Sequence, residues 1–224
     1  MSKGKVIANL FLLALPVVLL SYYFSSNPFA CPLASRTIAM DQFSREQRVN
    51  FIAAARALNG RVLKPSESFS FNQAVGPRTG KRGFLPAPSY LGSTRLASAG
   101  GGICLVSSCL YQVALLSGLT VDERVAHQKS VSSVAPGLDA TVWYGQCDLK
   151  FSNRLEAPVQ LRAEQSGPNE LTISCWGSEE LARKAAARQL RRREISQGKD
   201  LLVEVYLCSN QAETLVSRDR YLHR

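Results

Sequence analysis

The sequence predicts an α+β fold: a single domain of antiparallel strands packed with a central Cys-bearing helix, preceded by an N-terminal transmembrane helix. Three features predict it. An apolar run from Val6 to Phe24 follows Lys3 and Lys5, an apolar helical stripe follows three consecutive glycines, and two stretches of strict alternation flank Gly167-Pro168-Asn169. With 46% apolar residues, the 224-residue chain can bury one core of ordinary size and is not disordered throughout.

As a helix, residues 6–24 extend roughly 28 Å at about 1.5 Å per residue, close to the hydrocarbon thickness of a bilayer. A cleaved signal is the alternative, but Pro28 stands where an A-x-A-like site ending at Ala30 wants a small residue. Asn-Pro-Phe-Ala is also a poor match for lipid attachment at Cys31. The expected organisation is an anchor or signal over residues 1–30, a linker over 31–43 and a domain over 44–224, with its core at 47–177. Residues 6–24 would contact the cytoplasmic membrane, and the basic residues before them place the remainder on its outer side. There a net charge of +10 favours anionic membrane surfaces or acidic wall polymer, and nucleic acid is not an expected partner. Six cysteines in an oxidising compartment allow disulfides without choosing their pairing.

The first helix of the domain is announced by Ser44-Arg45-Glu46-Gln47, a capping box in which Ser44 and Gln47 each satisfy the other's backbone N–H. Val49, Ile52, Ala53 and Leu58 form its apolar stripe, and Asn59-Gly60 stops it. From Arg61 to Leu96, glycines and prolines punctuate short apolar pieces such as Phe69-Ser70-Phe71, which reads as loops with one or two short strands. Val106, Cys109, Leu110, Val113 and Ala114 then form a helix that begins near Cys104 and ends at Gly118. Cys109 falls on the buried stripe. Less regular strands are expected over Val121–Val134 and Asp139–Tyr144, and a clear hairpin over Val159–Cys175. A charged helix from Ser178 to about Arg193 follows, with Arg191-Arg192-Arg193 at its C-terminal dipole. Leu201–Tyr206 and Thr214–Tyr221 close the domain as a second hairpin.

Cys104 is the candidate for chemistry. A thiol attacks as its thiolate, which the partial positive charge of a helix N-terminus favours. Gly100, Gly101, Gly102 and Ile103 form a loop that lets backbone approach a substrate and aim N–H groups at an oxyanion. A base is needed, and only His127 and His223 exist; His223 is in the last few residues, which leaves His127. Asp139 would orient the imidazole, with Asp148 and Asp122 as competitors. Two blander readings stand beside this one. Cys104 would be structural if disulfide-bonded to Cys109 or Cys147. A metal held by Cys104, Cys109 and His127 follows no C-x-x-C spacing and lacks a fourth ligand, so neither metal nor cofactor is expected.

Four segments, FSFNQAVGPRTGKRGF, GGGICLVSSCLYQVALLSGL, ERVAH and PGLDATVWYGQCDLKFSN, occur in this order. Over about Gln47 to Gly177 the chain resembles VanW domains, named from vancomycin-resistance gene clusters. The resemblance implies an exported or membrane-anchored protein associated with peptidoglycan, acting as an L,D-transpeptidase. It puts the family's central cysteine at Cys104, which would attack a stem-peptide carbonyl, expel the terminal D-amino acid and form a thioester for a neighbouring stem amine to resolve. His127 would move the protons. Arg124 matches the family's E-R-x-x-H and would pair with a substrate carboxylate; Asn72 and Arg78 also match family positions. The chain departs from the pattern at Leu105, commonly Gln, and at Ser66, Gln128, Ser133 and Ala135. Those departures favour an alternative, a non-catalytic peptidoglycan-binding or scaffold domain that keeps the fold.

Overall fold

The computed structural model describes residues 27–222 apart from 92, 93 and 211. The chain begins with β1 (Cys31–Ala39), and α1 (Arg45–Leu58) leads to β2 (Val62–Leu63), β3 (Ser68–Ser70) and the short α2 (Phe71–Val75). A hairpin of β4 (Pro86–Leu91) and β5 (Thr94–Ala99) precedes α3 (Cys104–Ser117) and β6 (Thr120–Glu123). After a long segment come β7 (Lys150–Ser152), β8 (Val159–Gly167), β9 (Glu170–Gly177), α4 (Glu179–Ala186), β10 (Gln189–Gln197), β11 (Asp200–Ser209) and β12 (Ala212–Tyr221).

These strands form four antiparallel sheets, in the orders β1-β9-β8-β2, β3-β7-β6, β4-β5 and β10-β11-β12. This corrects the expected α+β fold of antiparallel strands packed with one central helix. The molecule is mostly antiparallel strand in several sheets with few helices. Among the described residues no helix is long and apolar enough to cross a membrane, and the run at residues 6–24 lies outside them.

Two segments account for much of the added strand. Residues 31–39, within the expected linker, pair along β9 from Cys31↔Gly177 to Ala39↔Glu170. The charged helix expected to reach Arg193 stops at Ala186, and Arg191, Arg192 and Arg193 lie in β10, paired with Tyr206, Val205 and Glu204. Neither segment shows a clean apolar alternation, so its conformation is set by the neighbouring strand rather than by local propensity. In the glycine- and proline-rich stretch, β3 ends at Ser70, whose hydroxyl caps the start of α2 at Gln73 N; Phe71 is therefore helical.

The capping box of α1 forms as the sequence predicts, with Gln47 N donating to Ser44 Oγ at 3.3 Å and Ser44 N donating to Gln47 Oε1 at 3.2 Å. Its buried face, Phe51, Ala54, Ala55 and Leu58, packs toward β8 and β9. Helix α3 is the centre of the molecule. Every residue from Leu105 to Ser117 is buried, so α3 is enclosed on all sides, against β1 and β9 above all. Gly118 stops it in the left-handed conformation at φ 85°. Burying so much of one helix fixes the position of its first residue, Cys104.

Candidate functional site

The loop that delivers Cys104 is shaped by packing. Gly100 and Gly102 adopt φ of 83° and 88°, and a Cβ on Gly101 would stand 2.0 Å from the Ala87 carbonyl oxygen of β4. Asn50 of α1 pins this crossing, donating from Nδ2 to the carbonyls of Leu85 and Gly101 and accepting from Leu85 N at 2.8 Å. Most of the loop's N–H groups are committed. Gly100 N donates to Leu85 O, Gly101 N to Ser98 O and Ile103 N to Gly100 O, so these three donors do not serve the expected oxyanion role. Among the described residues no carbonyl accepts from Gly102 N or Cys104 N.

Cys104 Sγ donates to Val142 O at 3.7 Å. The carbonyl of Cys104 accepts from Ser107 Oγ at 3.1 Å and Ser108 Oγ at 2.5 Å, and Ser108 Oγ accepts from Ala140 N at 2.9 Å. Two serines of α3 thus tie the helix start to residues 140–142. Those residues belong to the segment 124–149 between β6 and β7, which carries His127 and Asp139. Both were expected on strands beside the helix; both instead lie in irregular chain, because β6 ends at Glu123.

Asp139 is the hub of this segment. Its Oδ2 accepts from His127 N and His127 Nδ1, each at 2.7 Å, while Oδ1 accepts from Tyr221 Oη at 2.5 Å and Arg124 Nη2 at 3.2 Å. Burial alone would raise its pKa. The His127, Tyr221 and Arg124 interactions overcome that and hold it down at about 2. Burial would likewise depress His127, but its contacts with Asp139 and Cys104 carry it up to about 9. With Nδ1 taken by Asp139, Nε2 is the nitrogen left for proton transfer. The competitors drop out: Asp148 accepts from Ser70 Oγ, Asn72 N and Leu149 N, and Asp122 from Ser152 Oγ.

Cys104 and His127 line a cavity of about 330 Å³. Its walls include Phe43, Ile103, Leu105, Val131, Val134, Val142, Trp143 and Tyr144, and its polar lining includes Gln47, Arg78, Ser133 and Thr141. The other predicted residues divide. Arg124 is not part of the lining: its side chain is 6% exposed and donates to Asp139 O at 2.6 Å and to Asp219 Oδ2 at 2.5 Å. Asn72 is not part of the lining and holds the loop below Trp143, donating to Cys147 O at 2.8 Å. Arg78 does line the cavity. All six cysteines are free, so Cys104 is not tied to Cys109 or Cys147, and burial pushes the Cys109 thiol up to about 12.

The family model described as VanW like protein matches residues 46–176, more than half of the chain and all of Cys104, His127 and Asp139. The chain belongs to the VanW family. It is 38% identical over 130 residues to the uncharacterized protein YoaR of Bacillus subtilis (strain 168), covering 58% of this chain and 43% of that one. It is 30% identical over 137 residues to the vancomycin B-type resistance protein VanW of Enterococcus faecalis (strain ATCC 700802 / V583), covering 58% and 50%. The chain therefore spans about half the length of the curated relatives it matches. No solved structure matches it. Tyr221 and Asp219, which hold Asp139 and Arg124, fall outside the VanW match; nothing in the sequence of β12, which carries them, marks them as part of a site.

Proposed function

We propose that this VanW-family chain is a cysteine acyltransferase of the cell envelope, transferring acyl groups between peptidoglycan stem peptides. The observation that carries the reading is a thiol and a carboxylate-clamped imidazole that interact in one cavity. Because His127 is raised to about 9, the Cys104 proton would already rest on His127 Nε2 when the sulfur, as its thiolate, attacks a peptide carbonyl. His127 would return that proton to the departing amine as the C–N bond breaks, leaving a thioester on Cys104. An acceptor amine would then displace the sulfur, losing its proton to the same nitrogen. The N–H of Cys104 itself is a donor left for the oxyanion. The +10 charge suits an acidic, wall-facing location.

The test uses the purified chain with muropeptide donors and an amine acceptor, read by mass spectrometry. Exchange or cross-linked product is expected from the wild type, with none from Cys104→Ala, and an inactive wild type across donor peptides refutes the reading. A second reading rests on Leu105, a buried apolar side chain lining the cavity where the family commonly has Gln. It describes a domain that binds wall peptide without chemistry, for which Cys104→Ala would leave sacculus binding unchanged.

A further inference from the structure

The cavity is lined by a cation and by no carboxylate. No aspartate or glutamate is among its lining residues, and Arg78 is its one permanently charged side chain among the described residues. Arg78 is placed firmly. Nη1 donates to Gly76 O at 3.1 Å, and the guanidinium carbon lies 5.5 Å from the Phe71 ring centroid and 5.9 Å from that of Tyr144. Its other terminal nitrogen, Nη2, is buried and has no hydrogen-bond partner. Asp148, whose charge acts on Arg78, does not line the cavity and has its oxygens occupied by Ser70, Asn72 and Leu149.

A second orphan lines the same cavity. Thr141 Oγ1 is also buried without a partner, so two of the four such atoms among the described residues belong to this one cavity. Buried polar groups are nearly always satisfied, and leaving them bare costs the desolvation of each. A shared partner would remove both costs. It must accept hydrogen bonds, carry negative charge and fit beside aromatic walls, which describes a carboxylate on a small organic group.

We infer that Arg78 and Thr141 receive the free terminal carboxylate of the peptide whose carbonyl Cys104 attacks. The inference rests on the acyl-transfer reading for its substrate but not for its test. It assigns to Arg78 the carboxylate recognition expected of Arg124, whose nitrogens are already spent on Asp139 and Asp219. Tyr144, 52% exposed, would form the lip over which the terminal residue enters.

Binding is measured without turnover, in the full chain carrying Cys104→Ala, with N-acetyl-L-lysyl-D-alanine and its C-terminal carboxamide as probes. The acid is expected to bind at least about tenfold more tightly than the amide. Adding Arg78→Gln is expected to erase that preference, Arg78→Lys to retain part of it, and Thr141→Val to reduce it a few-fold. Thermal melts of each variant separate a lost subsite from a lost fold, which matters because the Arg78 side chain also packs on Gly100. Equal binding of acid and amide, no binding of either at millimolar concentration, or a preference unchanged in well-folded Arg78→Gln overturns the inference. A chain that selects the acid yet never transfers an acyl group keeps the subsite and loses the proposed reaction; active, unselective protein does the reverse.

Discussion

His127 and Asp139 form a buried pair whose two members titrate at opposite ends of the accessible pH range. Their side chains are 12% and 1% exposed, so solvent screens the interaction little. For His127, raised to about 9, the favourable interaction is fully present below the unfolded value near 6.5 and is lost as pH climbs through 9. For Asp139, lowered to about 2, it is present above the unfolded value near 3.9 and lost as pH falls through 2. The pair should therefore contribute most between about pH 4 and 6.5, by an amount on the order of 3 kcal/mol counted once. Urea unfolding from pH 6 to 10 checks this. The wild type should lose stability relative to His127→Gln across the interval, and parallel curves would exclude a charged His127. Cys104→Ser should shrink the effect, because the Cys104 sulfur, accepting from the imidazolium, is one of the groups that raise His127.

The loop before α3 makes a different demand, of space. Gly101→Ala would drive a methyl into the Ala87 carbonyl, a backbone atom of β4 that cannot swing aside as a side chain would. The expected loss is at least about 2 kcal/mol in urea denaturation, together with displacement of Cys104 and loss of any thiol-dependent activity. Gly80→Ala is the control: no atom lies within 4 Å of its added Cβ, and it should unfold within about 0.5 kcal/mol of wild type. The same loop shows which elements could be read from the chain. Helix α3, the capping box of α1 and the β8–β9 and β11–β12 hairpins each carry a local signal, whether periodicity, a cap or a turn, and each lies where that signal puts it. Strands β1 and β10 carry none, since they exist by pairing with β9 and β11 across distance in the sequence. The glycines were expected to let backbone approach a substrate, and what the structure shows at Gly101 is a close approach to the protein's own backbone, at the Ala87 carbonyl.

At the scale of the molecule, the site depends on a sheet outside the VanW match. Strands β10, β11 and β12 form a small second cluster in which Val203, Val205 and Tyr221 are buried beside Leu138 and Ala126, and Gly137 lies so close to both valines that no Cβ would fit. From this sheet Asp219 holds Arg124 and Tyr221 holds Asp139, so the carboxylate behind His127 is gripped from the far end of the chain. Cys104, His127 and Asp139 were legible from residue chemistry and spacing, whereas their supports were not, because a hydrogen bond between residues 139 and 221 leaves no local trace. Tyr221→Phe isolates the effect of that contact. It removes one hydroxyl that donates to Asp139 Oδ1 and accepts from Gly137 N at 2.5 Å, while keeping the buried ring. Stability should fall by about 1–3 kcal/mol, since a carboxylate oxygen and a buried N–H each lose a partner. His127 should titrate differently as well, because Asp139 would hold its negative charge less firmly. NMR titration of the His127 ring in both proteins measures this directly. A lowered stability with an unchanged imidazole titration would mean that the C-terminal sheet supports the fold alone, and a shift in both would mean that it also sets the state of the proposed base.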